Sequence, residues 1–372
     1  MQNPSVVLRG PGQATIEDRP VPTITGDNDV IVKIAYTGVC GSDVHFWRAG
    51  GIRSFVSHEK PLVMGHEASG TIHEVGRAVT SLHPGDRVAI EPGVPCRACH
   101  SCRAGQYNLC SGMQFAADPG SATDGTLAQF FKTAADFCYK LPPSVELQEG
   151  VLVEPLAVAV HAVRQSGIRE PGKKVVVFGA GTVGLFCAAV AKEFGAAQVV
   201  SVDVLASRLQ TAQRLVGEES SRTWTPPSSG PGTMTPEDTA AKLKEECGLS
   251  GDGCGDAGGA DVIMDATGAE FCVQTAIFTL RPGGTYVQVG MGKRKIDQFP
   301  IAEICEREIT IKGCFRYGPG DFEIAMDLIA RGRISLAGLV TGQYVFEKAW
   351  EAWESTGRGE GLKNVIAGPG EP

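Results

Sequence analysis

No apolar run in the 372 residues approaches the roughly 18 needed to cross a bilayer. The first residues, MQNPSVVLRGPG, lack the charged-then-apolar layout of a secretory signal. Nor is there a basic surplus. The 34 Lys and Arg face 42 Asp and Glu, and a net charge of −8 leaves nothing to neutralise nucleic-acid phosphates. There is no internal repeat. These absences lead us to expect a cytoplasmic protein in a reducing compartment, with no membrane and no nucleic-acid partner. At this length two domains are expected rather than one.

What is present in quantity is cysteine, twelve in all. In a large chain from a reducing compartment, cysteines read as metal ligands or buried thiols rather than disulfides. Cys138, Cys187, Cys247, Cys254, Cys272, Cys305 and Cys314 have no ligand spacing and are expected to be buried or incidental thiols.

The first 150 or so residues read as short strands broken by turns. DVIVKIAYTGV, GHEASGTIHEVG and GDRVAI are the strand candidates. Helical spacing first emerges in QEGVLVEPLAVAVHAVRQSGI. The pattern then changes to an apolar strand, a glycine turn, a helix and a second strand in KKVVVFGAGTVGLFCAAVAKEFGAAQVVSVDV. ADVIMDATG and GGTYVQVGM continue it as buried strands. This predicts an α/β protein, a β-rich domain followed by a doubly wound parallel sheet. FEIAMDLIARGRI reads as a helix and KNVIAG as a short strand. Residues 217–257, rich in Gly, Ser and Pro around one amphipathic helix, read as a surface excursion too polar to be core.

FGAGTVG supplies Gly179, Gly181 and Gly184 in G-x-G-x-x-G order between a strand and a helix, and the next strand ends in Asp203. Such a unit lets a pyrophosphate approach the backbone at a helix N-terminus and gives the ribose a carboxylate partner. Asp203 repels a 2′-phosphate and so favours NAD over NADP, with Arg208 close enough to offset part of that.

Cys96, Cys99, Cys102 and Cys110 have C-x2-C-x2-C-x7-C spacing, dense enough for a closed tetrahedral zinc cage that folds a lobe. Disulfides and an iron–sulfur cluster are the alternatives at this spacing. Cys40, His66, Glu67 and Glu154 are scattered, and spacing alone does not unite them.

The runs CGSDVHFW, GHE, the four-cysteine loop, VEPLAVAVHA and GAGTVG, in this order, resemble the zinc-dependent medium-chain dehydrogenases. Within them the chain is most similar to the polyol dehydrogenases, and DGTLAQFFKTAADFCYKLPPSVELQEGVLVEPLAVAVHA resembles the xylitol dehydrogenases. The resemblance implies a GroES-like catalytic domain over residues 1–155 and 315–372 and a Rossmann NAD domain over 156–314. It implies a catalytic zinc on Cys40, His66 and Glu67, with Glu154 reaching the metal's open position or its water. Asp43 would orient the histidine, and Ser42 and His45 would relay the proton. Glu154, Arg316 and Tyr317 would meet substrate, and Phe46 stands where some sorbitol dehydrogenases carry tyrosine. Val183, Val289, Gly290, Met291 and Phe315 would line the cofactor. The implied activity is NAD-linked interconversion of a small-molecule polyol, xylitol, and its ketose, D-xylulose, by a homo-oligomer, tetramer or dimer. Sorbitol, arabinitol, threonine and simple alcohols are rival substrates, and a non-catalytic NAD-binding protein is the rival of another class.

Overall fold

The strand Asp29–Gly38 is buried along nearly its whole length, with only Asp29, Lys33 and Tyr36 partly exposed. Its run of β-branched residues suits a strand covered on both faces. It pairs antiparallel with Glu67–Val75, with Phe130–Ala134 and with Lys363–Ala367. Around it the computed structural model, which describes residues 2–227, 234–251 and 258–371, builds the first of two units. This unit comprises Met1–Glu154, Gly318–Ala330 and Leu336–Pro372; the second comprises Pro155–Tyr317 and Arg331–Ser335.

In the first unit a seven-stranded sheet runs Cys138–Lys140, Arg87–Ile90, Glu67–Val75, Asp29–Gly38, Lys363–Ala367, Val340–Tyr344, with Phe130–Ala134 joined to Asp29–Gly38. A three-stranded sheet is centred on Pro4–Gly10. The helices Gly41–Ala49 and Ala349–Gly357 meet through Trp47 and Trp353, ring centroids 5.4 Å apart. Trp353 is fully buried beside Val6, Leu8 and Met64, and Phe46 packs half-buried against the same cluster.

In the second unit six parallel strands lie in the order Ser221–Trp224, Ala196–Val202, Lys173–Phe178, Ala260–Asp265, Leu280–Gln288, Thr310–Gly313. Numbered along the chain, that is 3-2-1-4-5-6, the doubly wound order whose switch point lies at the first strand's C-terminal end. The helix Thr182–Glu193 follows there, and every residue from Gly184 to Ala191 is buried. A helix apolar on all sides is a core helix. No described helix is long and apolar enough to cross a membrane.

Residues 217–257 depart from expectation. Ser221–Trp224 is an edge strand of the six-stranded sheet, and Pro236–Glu246 is a helix started by Thr235, whose hydroxyl accepts the Asp238 N–H at 3.1 Å. Trp224, Leu243 and Leu249 are core residues, and the Trp224 indole donates to Glu246 at 2.6 Å. The segment is polar on average because its buried side chains are few, yet they close one end of the sheet. Residues 228–233 and 252–257 of the segment, with Cys254, lie outside the described residues. Among the remaining cysteines without ligand spacing, Cys138, Cys187 and Cys247 are buried, Cys272 and Cys314 half-buried, and Cys305 exposed.

One buried carboxylate fastens the cysteine loop to the first unit. Glu91 follows the strand Arg87–Ile90, is fully buried, and accepts hydrogen bonds from Tyr107 (2.6 Å) and Tyr139 (2.9 Å). Tyr107 belongs to the cysteine loop, and Tyr139 stacks on Phe322 at 5.0 Å. Burial raises the Glu91 carboxyl from 4.5 to about 8, although both tyrosine hydroxyls pull it down. Below pH 4.5 the folded and unfolded chains both carry this proton. Between there and about 8 only the folded chain does, so stability from this group falls as pH rises. The expected slope approaches 1.4 kcal/mol per pH unit at most, as an order of magnitude. Urea unfolding of Glu91→Gln between pH 5 and 8 should show a shallower decline than wild type; an unchanged slope would count against this assignment.

Candidate metal centres and dinucleotide site

Cys40 ends the strand Asp29–Gly38 region and caps the helix Gly41–Ala49 in extended backbone geometry. Asp43, in the first helical turn, accepts the Cys40 N–H at 2.8 Å through Oδ2. Its other oxygen lies 3.7 Å from His66 Nδ1, an electrostatic rather than a hydrogen-bonding separation. One carboxylate therefore starts the helix and faces the imidazole, leaving Nε2 as the nitrogen for a metal. Burial raises the Asp43 carboxyl, partly countered by His66. Burial would lower His66, but Asp43 and Cys40 outweigh it and bring the imidazole up to about 10. Zinc binds the neutral imidazole, so a metal taking His66 displaces the proton that this raised pKa favours.

The strand pairing sets Glu67 opposite Gly38, two residues before Cys40. Ligand atoms of Cys40, His66 and Glu67 lie within 4.8 Å of one another, and His66 and Glu67 are buried. One thiolate, one imidazole and one carboxylate form a three-ligand set of the kind that leaves zinc an open position. Glu154, 7% exposed in the first turn of the helix Val153–Ser166, lies outside this trio but acts electrostatically on His66. Ser42 is half-buried and His45 exposed, three residues apart on the helix that Cys40 caps.

The sequence reading missed Lys363. It is 3% exposed and forms an ion pair with Glu67 Oε2. No spacing marks it. The available signal was a lysine heading the strand KNVIA, whose last three residues are apolar, where a buried ammonium requires a partner.

Cys96, Cys99, Cys102 and Cys110 also converge within 4.8 Å. Sulfur separations are 4.0 Å for Cys96–Cys102 and 3.5 Å for Cys99–Cys102. Tetrahedral Zn–S bonds of about 2.3 Å require sulfurs about 3.8 Å apart, whereas a disulfide requires about 2.05 Å. The geometry fits a cage. Backbone N–H groups of Ala98 and Cys99 lower the Cys96 thiol to about 6, while burial and neighbouring thiols raise Cys102. Cysteine ligates a metal as thiolate, so a divalent cation held here would draw off the thiol protons.

In the second unit Gly179 has φ +89°, and a Cβ on Gly184 would collide with the Gly179 carbonyl. The fold itself demands those two glycines. Gly181 differs: a Cβ there would meet nothing within 4 Å, so packing within the fold does not require glycine at that position. Asp203 Oδ2 accepts the Ala180 N–H at 2.7 Å, and Oδ1 accepts that of Leu205 at 2.9 Å. Arg208 lies 3.9 Å from the same carboxylate. Val183 is half-buried at the start of the helix. The Val289 and Gly290 amides both donate to the Asp265 carbonyl (2.9 and 2.8 Å), and Met291 beside them is exposed. Arg316 takes φ +57° with its guanidinium 4.7 Å from the Phe315 ring, and Tyr317 is buried.

The two metal groups should respond differently to mutation. Cys99→Ser is expected to lower Tm by on the order of 10 °C, because a cage that folds a lobe is lost. Cys40→Ser should leave Tm within a few degrees and abolish turnover. Thermal unfolding with parallel assays checks this; a dead Cys99→Ser enzyme with wild-type Tm would contradict the division.

Residues 26–143 match the alcohol dehydrogenase GroES-like domain, and residues 182–331 match the zinc-binding dehydrogenase domain. The probable D-xylulose reductase A of Aspergillus clavatus is 50% identical over 367 residues, covering 99% of this chain and 97% of the relative. The D-xylulose reductase A of Aspergillus niger is 48% identical over 367 residues, again 99% and 97%. Among solved structures, an Escherichia coli oxidoreductase of unknown specificity aligns with TM-score 0.84 at 32% identity over 99% of both chains. L-idonate 5-dehydrogenase from the same organism aligns with TM-score 0.83 at 27% identity over 99% and 98%. Half the residues shared over nearly the full length, together with both domain matches, show that the chain belongs to the zinc-dependent medium-chain alcohol and polyol dehydrogenases.

Proposed function

We propose that this protein interconverts xylitol and D-xylulose with NAD as the redox partner. The observation that carries the reading is the convergence of Cys40, His66 and Glu67 in a chain half identical to D-xylulose reductases. Cys40, His66 and Glu67 would hold the zinc, which when bound supplies a Lewis acid for the reacting secondary hydroxyl, while NAD supplies the hydride acceptor. Cys96, Cys99, Cys102 and Cys110 would hold the second, structural zinc.

Around those groups the chain's own side chains orient substrate and move a proton. Asp43 keeps His66 turned by its Nδ1 face. The Ser42 hydroxyl accepts the proton of the reacting hydroxyl as it passes its own toward His45, which releases one to water, a path from a half-buried to an exposed position along one helix face. Glu154 offers a carboxylate to a polyhydroxylated substrate, and Arg316 and Tyr317 donate to its further hydroxyls. Phe46 contributes apolar packing and no hydrogen bond. Val183, Val289, Gly290, Met291 and Phe315 line the nicotinamide half of the cofactor site. The family resemblance extends the reading to a cytoplasmic homo-oligomer, dimer or tetramer.

Asp203 accounts for the choice of NAD. A ribose diol can share its carboxylate, whereas a 2′-phosphate would meet a like charge; Arg208 is already engaged with that carboxylate. Asp203→Ser should raise kcat/KM for NADP relative to NAD by about tenfold or more. Steady-state kinetics with both cofactors test it, and an unchanged ratio would remove Asp203 from this role.

For the substrate, kcat/KM on xylitol should exceed that on sorbitol, arabinitol, threonine and ethanol, with D-xylulose reduced by NADH in reverse. Negligible polyol turnover beside good ethanol turnover would overturn the proposal.

A further inference from the structure

Lys363 opens the strand Lys363–Ala367 almost wholly buried, and an ammonium in such a place needs its donors satisfied. It reaches two acceptors, Glu67 Oε2 and, at 3.0 Å, the carbonyl of Val39. Each bears on the metal trio: Glu67 is a member, and Val39 immediately precedes Cys40. The register explains the reach. Gly38 pairs with Glu67 on one side and Val365 on the other, and the Val39 N–H donates to the Asn364 carbonyl at 2.9 Å. Gly38 also supplies the room. A Cβ there would overlap Glu67 Oε2 and come within 3.0 Å of Lys363 Cε.

A carboxylate can give a metal one oxygen or two. With Oε2 held by an ammonium, Glu67 has one left. The distinction matters because a catalytic zinc keeps one position clear beside three protein ligand atoms, and a second Glu67 oxygen would occupy it. We propose that Lys363 is a positioning residue that restricts Glu67 to single-oxygen ligation and thereby keeps the fourth position beside Cys40, His66 and Glu67 open to substrate. This rests on reading the trio as the catalytic metal site.

Cobalt(II), replacing zinc in the full-length protein, reads access to the fourth position directly, because an added neutral ligand such as imidazole shifts the visible bands only where it can join the metal. Imidazole should shift the wild-type bands of the trio, while those of the closed four-cysteine cage stay unmoved. In Lys363→Met, Glu67 is freed to fill that position with its second oxygen, and the shift should be lost or need about tenfold more imidazole while the cage bands persist. Gly38→Ala, which displaces the Glu67–Lys363 pair without removing a charge, should weaken imidazole binding likewise. A Lys363→Met titration superimposable on wild type would overturn the proposal. If Lys363→Met loses the cage bands because it does not fold, Gly38→Ala decides: weakened imidazole binding supports the role and unchanged binding overturns it. Cys40→Ser distinguishes a misplaced metal site from a mistaken role for Lys363. If that substitution leaves the bound cobalt per chain unchanged, the metal-site reading itself falls, whatever Lys363 does.

Discussion

Charges buried inside a β-rich domain must be compensated nearby, and that constraint organises the catalytic half of this molecule. Asp43, Glu67, Lys363, His66 and Glu154 all lie below 9% exposure around Cys40. An isolated ion at such a depth costs several kcal/mol, which neither packing nor a single hydrogen bond offsets. The chain answers with two pairs, Asp43 with His66 and Glu67 with Lys363. Their residues come from four separate segments: the capped helix, the turn before Glu67–Val75, that strand itself, and the last strand of the chain. Compensation of charge and assembly of the site are thus one requirement, and Asp43 serves a third purpose by starting the helix that carries Ser42 and His45.

The two metal groups illustrate opposite ways of presenting ligands. Four cysteines within one loop converge without help from distant strands, and four thiolates leave a metal no vacant position. Cys40, His66 and Glu67 converge only because Asp29–Gly38 pairs with Glu67–Val75. Three ligands of mixed type leave room for a reacting oxygen. The crowded group is suited to holding a lobe, which Glu91 anchors through Tyr107 and Tyr139, and the dispersed group is suited to chemistry.

How much of this was legible in the sequence follows from how local each signal is. The glycine fingerprint and its flanking strand and helix are contiguous, so the parallel sheet could be read from Lys173 to Asp203. The cysteine cage is contiguous too. Cys40, His66 and Glu67 required a family resemblance to unite them, because strand register is not written in their spacing. Lys363 escaped notice altogether: its partner lies across the sheet from the far end of the chain. Residues 217–257 misled for another reason. Mean polarity conceals that Trp224, Leu243 and Leu249 face the core while their neighbours face water. Glu91 resembled any acidic residue near a loop until its burial between two tyrosines gave it a purpose.

The central claim is that dispersed ligands make a catalytic zinc centre and crowded ones a structural zinc. Anomalous diffraction at the zinc edge, on crystals of the protein purified without added metal, tests it most directly. Two peaks per chain are expected, one between Cys40, His66 and Glu67 and one enclosed by Cys96, Cys99, Cys102 and Cys110. A protein that turns over xylitol with no peak at the Cys40 group would contradict it.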